Sequence, residues 1–206
     1  MIAPLALVFA LAVLVMRHSH KPVLKLISDP SAAMRVSPLL GFFSNVGVVG
    51  WCAGATVALF CGWLAWRWRA PREITRFHLF AGGFTALLMA DDFFLIHDHL
   101  APRYLGLHEV VIYAFYAGVF ALFLVRCREH VLRRNPGLLV IAVGLLGIMA
   151  GTDALSSDHS RLVGLGMAGS KLLGIYTWTA WLCVAARRDL EALRTQQLPT
   201  STRPPS

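Results

Sequence analysis

The chain has 206 residues, 57% of them hydrophobic and only 15% charged, with 19 Lys and Arg against 11 Asp and Glu for a formal charge of +8. A soluble domain of this length needs more charge on its surface, so the composition argues against one and points to a polytopic helical membrane protein. The positive charge does not mark a nucleic-acid binder. Arg67, Arg69, Arg72 and Arg76 form one cluster and Arg126, Arg128, Arg133 and Arg134 another, each in a short connection between apolar runs, and no basic domain is left over.

Six apolar segments follow one another at 2–16, 39–66, 77–97, 107–125, 138–155 and 162–186. At about 1.5 Å per residue most can cross a hydrocarbon core about 30 Å thick, the first and fourth being short. Lipid forces each span to satisfy its own backbone hydrogen bonds, which makes them helices. The expected fold is all-α: one transmembrane bundle of about six spanning helices over 1–186, then a polar, disordered tail over 187–206. The first segment has no basic residue before it and "VMRHSH" lacks a small-residue cleavage signature, so it reads as a retained helix. The arginine-rich loops after segments two and four, and the C-terminal tail, belong in the cytoplasm, which leaves 98–106 and 156–161 facing outward. The connection 17–38 resists this count. It carries Arg17, Lys21, Lys25 and Arg35 yet falls outside, so either it lies along the outer interface or segment one does not fully cross.

Trp51, Trp63, Trp66 and Trp68 read mostly as interfacial anchors. Gly144, Gly147 and Gly151 in segment five, and Gly164, Gly166, Gly169 and Gly174 in segment six, read as close helix contacts, with "GIMAG" a GxxxG. Cys52, Cys61, Cys127 and Cys183 form no CxxC and lie in or beside apolar runs, so disulfides are not expected.

The chemistry concentrates in "MADDFFLIHDHLAPRYLGLHE", residues 89–109. Asp91 and Asp92 precede four apolar residues, which puts them inside the hydrocarbon, where a charge costs at least a few kcal/mol and needs a partner. Starting the span near Ile74 would instead leave them as solvated helix caps. On a continuous helix Asp92 shares a face with His99, and Asp91 with Asp98, while His97 points elsewhere. His97 and His108 flank the short outer hairpin, with Glu109 beside the second. Asp153, Asp158 and His159 join them at the same face. Imidazole with carboxylate suits zinc, or iron and manganese when oxygen ligands dominate. A hydrated acidic rim is the plain alternative. Lys171, nine residues into segment six, must snorkel, lose its proton or pair with Asp91, Asp92 or Asp153. His78, at the inner end of segment three, reads as an interface residue.

"FSNVGVVGW" (43–51), "DDFFLIHD" (91–98) and "GSKLLGIYTW" (169–178) together resemble a group of small bacterial multi-pass membrane proteins with no assigned activity. A fainter likeness reaches the alkaline ceramidase superfamily of zinc-dependent membrane hydrolases. That resemblance implies catalytic roles for Ser44, within the Ser44-Asn45 pair, and for Asp92. It also implies three histidines, two of them as HxxxH in a late helix, which this chain lacks.

These observations combine into a protein of the bacterial inner membrane, C-terminus cytoplasmic, with an outward-facing pocket. Its members are Asp91, Asp92, His97, His99, His108, Glu109, Asp153 and Lys171. In the enzyme version, metal-dependent hydrolysis of a lipid, Asp91 and the three histidines hold zinc and a carboxylate, Asp92, takes a proton from water. In a transport version the same carboxylates and Lys171 pass protons or a cation, although no discontinuous helix pair is visible in the sequence. A third version is an accessory subunit whose charges only fix packing. The expected partners are membrane lipids and other helices, in an oligomer or membrane complex.

Overall fold

Each apolar run from the second onward folds as a helix. The computed structural model describes residues 35–37, 39–133, 136–155 and 161–197, together with Leu14, the side chains of 153–155, 161, 196 and 197 excepted. In it α1 spans Phe42–Arg67, α2 Arg72–Phe94, a π-helical segment Ile96–Leu105, α3 Glu109–Arg133, α4 Pro136–Leu155 and α5 Arg161–Gln197, and no strand occurs among the described residues. Segment 2–16 and most of the connection 17–38 lie outside them. The chain divides into Met1–Phe42 and Phe43–Ser206, and the second unit carries α2 to α5, all but the first residue of α1, and both polar clusters.

Two described helices, α1 and α3, are each long and apolar enough to cross a membrane. A third span results if α2 and the π-helical segment count as one, bent by 74° at their junction. α4, Pro136–Leu155, is apolar over the stretch Pro136–Thr152. The described residues thus give two or three candidate spans where the sequence suggests five of the six, because glycines, threonines and Lys171 dilute α5 and the two aspartates dilute α2.

The core is aromatic. Trp178 on α5 sits at its centre, with ring centroids 6.4 Å from Trp51, 6.0 Å from Phe84, 5.9 Å from Phe120 and 5.4 Å from Trp181. Its indole N–H donates to Thr85 Oγ1 at 2.9 Å, and Thr85 in turn donates to the Ala81 carbonyl at 2.7 Å, so the polar edge of a large apolar ring is satisfied inside the bundle. Trp51 is therefore a core residue, 4% exposed, and not an interfacial anchor, whereas Trp63, Trp66 and Trp68 are exposed as anchors would be. All four cysteines are free; Cys61 and Cys127 are buried, Cys52 and Cys183 exposed.

The glycines that let helices touch are mostly not those of segments five and six. A Cβ at Gly144, Gly147, Gly151, Gly164, Gly166 or Gly169 would meet nothing within 4 Å, and only Gly174 is tight, against Leu146 Cγ at 2.8 Å. Close approach occurs instead between α1 and α2, where a Cβ on Gly82 would lie 2.9 Å from the backbone nitrogen of Leu59. The backbone cannot yield as a side chain can. Gly82→Ala should therefore destabilise the purified protein by about 1–3 kcal/mol, while Gly144→Ala should stay within about 0.5 kcal/mol. Equal melting temperatures for the two variants would refute this contact.

The last helix also corrects the expected tail. α5 continues beyond Ala186 to Gln197 and buries Asp189 and Leu193 on the way. Residues 198–206 lie outside the described residues.

Candidate functional site

α2 ends at Phe94, within the apolar stretch that follows Asp91 and Asp92. Leu95 takes a left-handed conformation, φ 52°, which costs a residue with a side chain about 1–2 kcal/mol. Asp91 stabilises the break. The Leu95 N–H bonds the Asp91 carbonyl, closing α2, and Asp91 Oδ1 accepts the backbone N–H of His97 at 3.0 Å, opening the π-helical segment. Its other oxygen, Oδ2, lies 2.6 Å from His97 Nδ1. The break thus turns His97 back onto Asp91, although a continuous helix would have pointed it away. The face shared by Asp92 and His99, and by Asp91 and Asp98, is lost with helical continuity.

His97 Nε2 stands 3.2 Å from Asp98 Oδ1, and His97, Asp98 and Glu109 each offer an atom within 4.8 Å of the others. Glu109 Oε1 is buried without a hydrogen-bond partner. Tyr113 packs on the imidazole at 5.3 Å, and Tyr116 approaches Asp91. This carboxylate–imidazole–carboxylate arrangement could hold a cation through His97 Nε2, with Asp91 orienting the ring from behind. His99 and His108 are exposed and lie outside that group.

Asp92, one residue on, pairs with a different element. Its Oδ1 accepts from Lys171 Nζ of α5. Its Oδ2 is buried without a partner, 3.6 Å from where a Cβ on Gly47 would sit, so the absence of a side chain there lets α1 close over the carboxylate. Ser44 is half-buried, one turn earlier on α1, and no hydrogen bond joins it to Asp92. Asp153 lies in the last turn of α4, its side chain outside the described residues, as are Asp158 and His159.

Between these groups and the core lies a cavity of about 520 Å³. Asp91, Asp92, His97 and Lys171 form its polar end, and Trp51, Phe84, Leu88, Phe120, Leu146 and Trp178 are among its apolar walls.

A second polar cluster occupies the other end of α2, where the sequence suggested only an interface residue. His78 Nε2 lies 2.9 Å and His130 Nε2 2.8 Å from the same oxygen, Asp189 Oδ2. His78 and Asp189 are fully buried and His130 nearly so. Burial works against ionising Asp189, but the hydrogen bonds from His130 and His78, with their charge, outweigh it and hold the carboxyl well below the usual carboxylate range. No sequence signal joins these residues, because they come from three helices. The one available hint was that His130, in "CREH", falls on the α3 face that carries Phe123 and Cys127.

A family model described as a domain of unknown function (DUF8692) matches residues 2–185, and the chain belongs to that family. No curated protein and no solved structure shows significant similarity to it. The uncharacterised family thus fits the first resemblance noted in the sequence, while the likeness to alkaline ceramidases finds no counterpart.

Proposed function

We propose that this DUF8692 protein is an integral protein of the bacterial inner membrane, with its arginine-rich loops and C-terminus in the cytoplasm, that takes a lipid into the Asp91–Lys171 pocket and hydrolyses it with the help of a divalent ion. One observation carries the reading: the cavity is aromatic and aliphatic along its length and ionisable at one end, the complement of an acyl chain with a polar head. His97, Asp98 and Glu109 would hold the ion, and their nitrogen and oxygen donors suit zinc. When bound, such an ion polarises a carbonyl and acidifies water. Asp91 fixes the His97 tautomer through Nδ1. Asp92 is held in place by Lys171, and its Oδ2, buried without a hydrogen-bond partner, would receive the proton, which makes it the general base.

The protein purified in mild detergent should carry bound lipid by native mass spectrometry, and Ala117→Trp, which fills the cavity, should release it. Glu109→Gln should keep the lipid and lose zinc-dependent fatty-acid release from a phospholipid and N-acyl-lipid panel. A lipid-free protein that releases no fatty acid with zinc refutes the reading.

The break at Leu95 favours a second reading. Interrupted helices beside buried charges are the structural mark of many ion pathways, and this one falls between Asp92 and His97. Proton flux in proteoliposomes, abolished by Asp92→Asn, would move the assignment to transport.

A further inference from the structure

We infer that His78, His130 and Asp189 form a binding site for one divalent transition-metal ion at the arginine-rich end of the bundle, separate from the Asp91 pocket and independent of the function proposed for it. Two imidazoles and a carboxylate are a donor set for zinc or non-haem iron(II). The distances already suit them. With metal–ligand bonds of about 2.1 Å, adjacent donors are about 3.0 Å apart in an octahedral shell and about 3.4 Å apart in a tetrahedral one. His78 Nε2 and His130 Nε2 stand 2.9 and 2.8 Å from Asp189 Oδ2, and the three atoms lie within 4.8 Å of one another. An ion therefore needs only small ring movements to replace the N–H donors.

The ligands are held rigidly, because α2, α3 and α5 each supply one. Phe77, itself fully buried, packs on His78 at 4.9 Å and on His130 at 4.4 Å, with Trp181 behind it at 5.7 Å. The cluster is also reachable. His130 lines a cavity of about 160 Å³ together with Glu73, Glu129, Arg76, Arg126 and Arg128, so this ligand can be reached without crossing the apolar core. Three protein ligands leave coordination positions open, as in catalytic metal centres. The arginines beside that cavity would favour an anionic co-ligand.

The test uses the full chain in detergent, stripped with a chelator and titrated with Co²⁺, whose visible absorption reports ligation. Wild type should bind with a d–d spectrum, and Zn²⁺ should displace it and raise the melting temperature. His130→Gln, at the partly accessible edge, should weaken Co²⁺ binding by about 10–100-fold or more, and Asp189→Asn likewise. His97→Ala should lose only the Co²⁺ held beside the Asp91 pocket and keep the absorption that His130→Gln removes. The proposal is overturned if wild type shows neither a Co²⁺ spectrum nor a Zn²⁺-dependent melting shift, which would make the cluster a hydrogen-bonded clamp only. It is equally overturned if folded His130→Gln binds Co²⁺ as wild type does, or if the spectrum is lost with His97→Ala instead.

Discussion

Asp92→Asn and Lys171→Met should each lower the stability of the detergent-purified protein by about 3–5 kcal/mol, and the double variant should lose clearly less than the sum. Asp92 is 6% exposed and its partner's side chain 26%, in a region bordered by Trp51, Phe84 and Trp178. Each single change strands the other charge in low dielectric, where water cannot compensate it. Removing both leaves no uncompensated charge and replaces an ion pair by neutral groups of similar volume, which is often close to neutral. The measurement is a thermal double-mutant cycle. Additivity within about 0.5 kcal/mol would show that the pair does not couple. A double variant that folds like wild type but has lost lipid hydrolysis would show that the charges serve chemistry more than stability.

How much of this could be read in advance depends on whether the signal is local. Helix placement was legible because apolar runs bounded by arginine clusters need no tertiary information, and α1 to α5 fall on the runs that marked them. The Asp92–Lys171 pairing was accessible by elimination, since two charges in apolar spans have few places to go. The break at Leu95 was not. No glycine or proline marks it, and it exists because Asp91 can capture the His97 N–H and ring at once, a tertiary gain that outweighs the strain of a left-handed leucine. The metal-competent group moved with it: His99 and His108, chosen by proximity in sequence, are exposed, and Asp98 and Glu109 stand beside His97 instead. Asp189 was hidden by composition. In "RRDLEALRTQQ" charges dominate, and charged segments after a last span usually lie in solvent, yet Asp189 and Leu193 point to the core from a helix that simply continues.

That continuation sets the second large effect. A chain ending at Ala186, close to where the family match stops at residue 185, should be much less stable than the full chain or one ending at Gln197. The shorter chain loses Asp189, which leaves imidazole donors of His78 and His130 buried without an acceptor, at about 1–3 kcal/mol for each. It also loses Leu193, 4% exposed, whose burial contributes about 1.5–3 kcal/mol. For a protein of this size each kcal/mol moves the melting temperature by about 2–4 °C, so a gap of at least about 5 °C should separate the two truncations, or the shorter one should fail to fold. The comparison belongs in a chelator, so that metal binding does not enter. Its pH dependence follows from Asp189. Because its histidine partners hold the carboxyl below the usual carboxylate range, the contribution is fully present above the unfolded value of about 3.9 and fades only as pH falls through the lower folded value. The gap should therefore persist at pH 5, where Asp189 is still ionised. Identical melting curves for the chain ending at Ala186 and the full chain would mean that the extension of α5 is not docked, and the His78–Asp189–His130 cluster would fall with it.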